Sequence, residues 1–221
     1  MIKFIGAAGV AASLLLSSPV SAQAVDGLHL RPVLGLGYGW GGDTITPVTV
    51  VPQGTTIEYD ETIKAGTGID LRAGIELAFP KTPFALQLAL AYQNDGVAGL
   101  DNKNINFRRV PVELIGYWRV APQVRIGFGA RKAAHASLRV SQAYCADINE
   151  GLEFGFPCTI DYKSNVGVVI EGEYALTPGW ALRARYVRET FEIKNADDRA
   201  LLGDGKVRGD HLGILSVWYL R

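Results

Sequence analysis

His135-Ala-Ser137 sets an imidazole and a hydroxyl two residues apart, the types from which a nucleophile and its base are made. A serine attacks only when a base can take its proton, and a carboxylate must in turn orient that base. Glu150 or Glu153 could serve. The competing reading is a histidine at the foot of a loop, packed against strand ends. Gly37-Tyr-Gly-Trp-Gly-Gly42 has the spacing of a dinucleotide-binding loop. It runs into Asp43-Thr-Ile-Thr-Pro47 rather than into a helix, so no phosphate cradle is expected. Three His and two Cys at these spacings make no metal site, and Asp95, Asp101, Asp197, Asp198 and Asp204 lack the spacing of a calcium loop. No cofactor is expected.

A larger set of charges repeats at one strand parity. Asp70, Glu76, Glu113, Glu171, Glu173 and Glu189 stand with Arg31, Arg72, Arg109, Arg119, Arg125, Arg131, Arg183 and Arg185, close to balance. Unpaired charge in a narrow interior is costly, so these groups are expected to pair with one another. Glu113 with Arg109 and Arg119 is the expected centre. Two readings are open: a structural plug, or a narrow, gated pathway leaning weakly toward anions.

The elements that would position these groups are strands. From Leu28, the even positions read Leu28, Leu30, Pro32, Leu34, Leu36, Tyr38 and Trp40, against His29, Arg31, Val33 and four glycines. Ile69 to Phe79 and Phe84 to Tyr92 repeat the alternation, and weaker versions begin near Arg109, Val124, Asn165 and Leu182. An eighth segment, from about His211 to Arg221, is apolar on both faces and cannot be oriented. Pro111 removes a ladder donor in mid-strand, which calls for a local bulge. The turns at 80–83, 121–123 and 177–179 are tight. The connections at 41–66, 94–106, 137–162 and 192–209 are long. Short turns at one end and long loops at the other are the pattern of a transmembrane barrel, with the short end periplasmic.

Composition agrees. The 221 residues carry 22 Lys plus Arg against 22 Asp plus Glu, which excludes a charge-driven nucleic-acid binder. Lys3 ahead of an apolar run, and Ser17-Ser-Pro-Val-Ser-Ala-Gln-Ala24 with its small-residue ending, predict a signal peptide over residues 1–24. The mature chain would be residues 25–221, one barrel domain. Export makes Cys145 and Cys158 oxidisable, and a disulfide between them is expected. No later segment has the roughly 18 apolar residues of a membrane helix.

Alternation alone does not say which face is wet, and a soluble ligand-binding barrel would put the apolar set inside. Three features favour the inverted arrangement. An eight-stranded interior is just wide enough to be filled by side chains, and the polar set is rich in Gly and Ala between its charges. Trp118, Trp180 and Trp218 fall at the short-turn end and Trp40 at the long-loop end, as an interfacial girdle requires. The cations of the polar face are nearly all Arg, the type suited to buried multidentate pairing. The expected fold is all-β, an eight-stranded antiparallel up-and-down transmembrane β-barrel.

Val33-Leu-Gly-Leu-Gly-Tyr-Gly39, Val110-Pro-Val-Glu-Leu114, Val124-Arg-Ile-Gly-Phe-Gly-Ala-Arg131 and Glu171-Gly-Glu-Tyr174 resemble the small outer-membrane β-barrel family of Gram-negative bacteria, the OmpA/OmpX-like class. The resemblance implies an outer-membrane location, contact with outer-membrane lipid and lipopolysaccharide, and assembly by the insertion machinery. It departs from the family at the last residue, Arg221, where an aromatic is usual. His135-Ala-Ser137 also resembles the His-x-Ser-Asn stretch of the outer-membrane lipid A deacylases, but Leu138 stands in place of Asn. The expected product is a monomeric, non-enzymatic surface barrel. A porin-like channel and a lipid-modifying hydrolase are the rivals.

Overall fold

Alternating side chains and tight turns build a closed antiparallel sheet. The computed structural model describes residues 28–50, 59–79, 81–98, 104–142, 145, 158–195 and 205–220. In chain order the strands are β1 (His29–Gly41), β2 (Thr44–Val50), β3 (Tyr59–Lys64), β4 (Gly68–Ala78), β5 (Phe84–Ala98), β6 (Asn104–Ala121) and β7 (Val124–Val140). They continue as β8 (Thr159–Ser164), β9 (Gly167–Thr177), β10 (Trp180–Arg188), β11 (Thr190–Ile193), β12 (Val207–Arg208) and β13 (His211–Tyr219). Eight of them form the ring β7-β6-β5-β4-β1-β13-β10-β9, which the β7–β9 pairing closes. Closure gives every ladder N–H and C=O a partner, so no edge is left to face lipid.

The remaining strands continue the staves outward. β2 and β3 pair as a hairpin above β1 and β4, while β8 pairs β7 through Ala136↔Tyr162 and reaches β11 and β12. Much of what the sequence pattern assigned to long loops is therefore strand. Outside the bilayer a strand need not alternate apolar with polar, so pairing persists after the period-two signal has faded. The long connections nevertheless all lie at one end, opposite the turns at Phe79–Phe84, Ala121–Val124 and Thr177–Trp180.

Pro111 is accommodated as expected. Val110 pairs His135 and Pro111 pairs Ala133, so Ala134 has no counterpart on β6 and the register shifts there. Gly68 has φ +124°, and a Cβ at that position would collide with the Asn94 carbonyl oxygen. Glycine is required where the outer hairpin feeds into β4.

Facing is inverted relative to a soluble protein. Leu36, Leu71, Leu88, Leu90, Leu114, Phe128, Ile170, Leu182 and Ile214 lie outward and exposed, while the arginines and acids lie within. β13, which the sequence left open, points Leu212, Ile214 and Trp218 outward and His211, Leu215, Val217 and Tyr219 inward. Among the described residues, no helix is long and apolar enough to cross a membrane; the crossing elements are strands.

Candidate functional site

Among the described residues, six acids and six arginines are buried inside the ring, and each has at least one partner of opposite sign. Glu113, fully buried on β6, receives Arg72 at 2.9 Å, Arg185 at 2.8 Å and Arg131 at 3.2 Å from three other strands. Arg72 also reaches Asp70 at 2.6 Å, and Arg185 lies 3.4 Å from Glu171. Toward the short turns, Glu173 accepts from Arg125 at 2.8 Å, from Arg183 at 2.7 Å and from the Tyr219 hydroxyl at 2.7 Å. Glu76 joins Arg31 at 2.6 Å and Arg125 at 2.7 Å. Toward the long loops, Glu189 lies 3.2 Å from Arg131 and 3.7 Å from Arg109.

Neutral groups complete the set. Gln93 donates to Asp70 at 2.6 Å and accepts from Arg131 at 2.9 Å, and Gln87 accepts from Arg183 at 3.1 Å. The Tyr117 hydroxyl donates to Glu171, and the Arg125 guanidinium lies over the Tyr117 ring at 4.2 Å. These contacts cross the lumen from strand to strand. Glycine supplies the room: a Cβ on Gly35 would stand 2.5 Å from Cγ of Arg72.

Two expected members are placed elsewhere. Arg119 is not in the core. The register shifts between Arg119 and Ala121, and the exposed side chain borders hollows of about 440 and 290 Å³ at the short-turn mouth. The shift follows Arg119, which still pairs with inward-facing Arg125; the Arg119 side chain is exposed because the lumen opens to solvent at this end of the wall. Arg109 is buried, but it serves the opposite end, donating to the backbone oxygens of Ala65 and Thr67 as well as pairing with Glu189. Glu113 therefore sits among Arg72, Arg131 and Arg185, not between Arg109 and Arg119.

Sequence reasoning also missed an apolar layer. Above the charges, Phe107, Tyr162, Phe191, Ile63, Ile105, Leu138, Ile160 and Ile193 pack as one buried cluster. Phe107 meets Tyr162 and Phe191 edge to face at 5.5 and 5.4 Å. Lower down, Ile115, Val169, Val187, Leu215 and Val217 also face inward. These residues come from six or more separate strands, and only barrel closure brings them together. The doublets Ile105/Phe107 and Phe191/Ile193 are the signal that could have revealed the layer.

A family model described as the outer membrane protein beta-barrel domain matches residues 8–214, nearly the whole chain. The chain belongs to that family. Its location is accordingly the bacterial outer membrane. Solved outer membrane protein beta-barrel structures similar to this one include Ail, the attachment invasion locus protein of Yersinia pestis, in complex with the heparin analogue sucrose octasulfate. It shows 14% identity and TM-score 0.48 over 86% of this chain and 96% of that one. Neisserial surface protein A gives 13% identity and TM-score 0.47 over 87% and 99%. The outer membrane protein OprG of Pseudomonas aeruginosa gives 11% and 0.39 over 87% and 96%. No curated protein matches the sequence.

As an outer membrane protein beta-barrel, the chain carries its tryptophans outward: Trp118, Trp180 and Trp218 at the short-turn end and Trp40 at the other. Trp180 stands across from Trp218 and donates its indole N–H to the Ser216 hydroxyl at 2.7 Å. His135 and Ser137 lie on the outer face of β7 with Nε2 and Oγ 3.2 Å apart. His135 is exposed, whereas Ser137 has no accessible surface, so a substrate carbonyl cannot reach its oxygen in this arrangement. Glu150 and Glu153 lie outside the described residues, as does the segment read as a signal peptide. Cys145 and Cys158 form a disulfide that closes the connection between β7 and β8.

Proposed function

We propose that the protein is a non-enzymatic outer-membrane barrel, closed along its axis by its own side chains, with a structural or surface-interaction role carried by its outer rim and long connections. The observation behind this reading is the matched set of buried acids and arginines bridging the interior, roofed by the Phe107 cluster. A solute crossing it would have to separate fully buried ion pairs, and each separated charge would be left unsolvated at a cost of several kcal/mol. The buried Ser137 Oγ speaks against an acyl-transfer role.

Conductance of refolded protein in planar bilayers tests the proposal. The expected result is electrical silence from protein that shows the heat-dependent gel shift of a folded barrel. Steady single-channel currents that change in a Glu113→Gln variant would replace the plug with a gated pathway.

A further inference from the structure

The short-turn mouth of the barrel holds a charge that the interior does not compensate. Arg31, Arg119 and Arg125 line both of the hollows there, with Glu76 in the smaller and Glu173 in the larger. Both acids are already shared. Glu76 accepts from Arg31 through Nε at 2.8 Å and Nη2 at 2.6 Å, and it meets Arg125 at 2.7 Å. Glu173 serves Arg125, Arg183 and the Tyr219 hydroxyl. Neither acid pairs with Arg119. The Arg119 backbone N–H donates to the Pro83 carbonyl at 2.8 Å, yet its exposed guanidinium makes no ion pair or hydrogen bond among the described residues.

The sheet register sharpens this surplus. Arg119 stands directly across the ladder from Arg125, and like charges in opposed positions repel. An anion beside Arg119 relieves that repulsion, which a neutral occupant does not. Arg31 offers a further donor: its guanidinium lies over the Tyr219 ring at 4.2 Å, and its Nη1 has no hydrogen bond among the described residues. The larger hollow also takes in Pro122, Ala175, Pro178 and Ala181. At about 440 Å³ it has the size of a small-molecule site, in which an apolar wall is combined with a few placed polar groups. Charge selects the head of the ligand. Three arginines against two acids leave one positive charge over, which a carboxylate matches. A phosphoryl head carries about two negative charges at neutral pH, and the second would face Glu76 and Glu173 uncompensated.

We propose that the short-turn mouth is a binding site for a small organic carboxylate with a short apolar body. The Arg119 guanidinium takes the carboxylate, Arg31 Nη1 adds a donor, and the body lies against Pro122, Ala175, Pro178 and Ala181. The site faces the lumen and not the lipid. Binding there requires none of the Glu113 pairs to open, so it stands apart from whether the interior conducts.

The test uses the full chain refolded in zwitterionic micelles, with arginine Nε–H and backbone amide shifts read by NMR. The probes are butyrate, butyramide, n-butyl phosphate and inorganic phosphate. Butyrate is expected to move the Arg119 Nε–H and the Ala175 and Ala181 amides saturably. It should bind roughly tenfold or more tightly than butyramide, with a preference that shrinks as salt rises. An R119Q variant should lose the amide response while keeping the heat-dependent gel shift of a folded barrel. Lys81→Gln, which removes an exposed cation in the neighbouring turn that lines neither hollow, should keep it. Equal responses to butyrate and butyramide, or an unchanged response in R119Q, would overturn the site. Binding of butyl phosphate or inorganic phosphate as tight as that of butyrate would overturn the carboxylate assignment. The contrast between butyrate and butyramide on the wild-type chain keeps the test decisive if R119Q does not fold.

Discussion

Arg108 and Arg109 are neighbours on one strand and lead opposite lives. Arg109 points inward, is 1% exposed and spends its donors on Glu189, Ala65 and Thr67. Arg108 points outward and makes no ion pair among the described residues. The side-chain type is the same, so the difference comes from strand parity and from what each face of the wall meets. A charge inside a closed barrel has lost its water, and the fold holds it only by supplying a partner of opposite sign. A charge at the outer rim keeps its water and contributes little to folding.

That contrast can be broken most severely at Glu113. Replacing it with Gln leaves Arg72, Arg131 and Arg185 short of their shared acid, with an expected loss of about 3–5 kcal/mol in the urea unfolding of refolded barrels. Arg108→Gln should move the same midpoint by no more than about 0.5 kcal/mol. Similar losses in the two variants would mean that the interior pairing is not what separates the two faces. Opening the disulfide with Cys145→Ser and Cys158→Ser should cost roughly 2–4 kcal/mol, as expected for closing a loop of this size. Limited proteolysis should locate that damage at the long-loop end while the ring stays protected.

Gly35→Ala sharpens the comparison from the packing side. The added methyl would press on Arg72 at 2.5 Å, so about 1–3 kcal/mol should be lost, while Gly172→Ala, where nothing lies within 4 Å, should be nearly silent by the same assay. The smallest effect belongs to an exposed pair at the outer end. The Arg208 backbone N–H, bonded to Asp43, holds that carboxyl below its ordinary range, with the Arg208 side chain adding a contact at 3.4 Å. Because the folded state prefers the ionised form, this contribution is present at neutral pH and fades as pH falls through the lowered value. Hydrogen exchange at the Asp43 and Arg208 amides should quicken only at that acid limit, with the ring amides unchanged.

Legibility tracked the environment. Where one face of a strand meets lipid and the other a charged interior, alternation is enforced residue by residue, and Leu34-Gly-Leu-Gly-Tyr38 or Val110-Pro-Val-Glu-Leu114 could be read directly. The bulge at Pro111 was equally readable, because a missing N–H is a property of the residue itself. Where the constraint weakened, reading failed. β2, β3 and β8 lie beyond the lipid and looked like loop, and β13 carries apolar residues on both faces because Leu215 and Val217 pack inside. Arg119 was counted among the buried charges because parity gives the facing of a residue but not the level at which the lumen opens to solvent.

The sequence by itself determined the strands, their tight turns, the girdle of tryptophans and the near balance of acids and arginines on one parity. These are local or compositional properties, carried by residues one or two positions apart. Only the closed ring decided which arginine meets which acid, that Glu113 gathers three guanidiniums, and that Phe107, Tyr162 and Phe191 roof the interior. Those neighbours lie tens of residues apart along the chain. Their contacts depend on strand register and on closure, which are fixed by the pairing of the whole sheet and by no single segment of it.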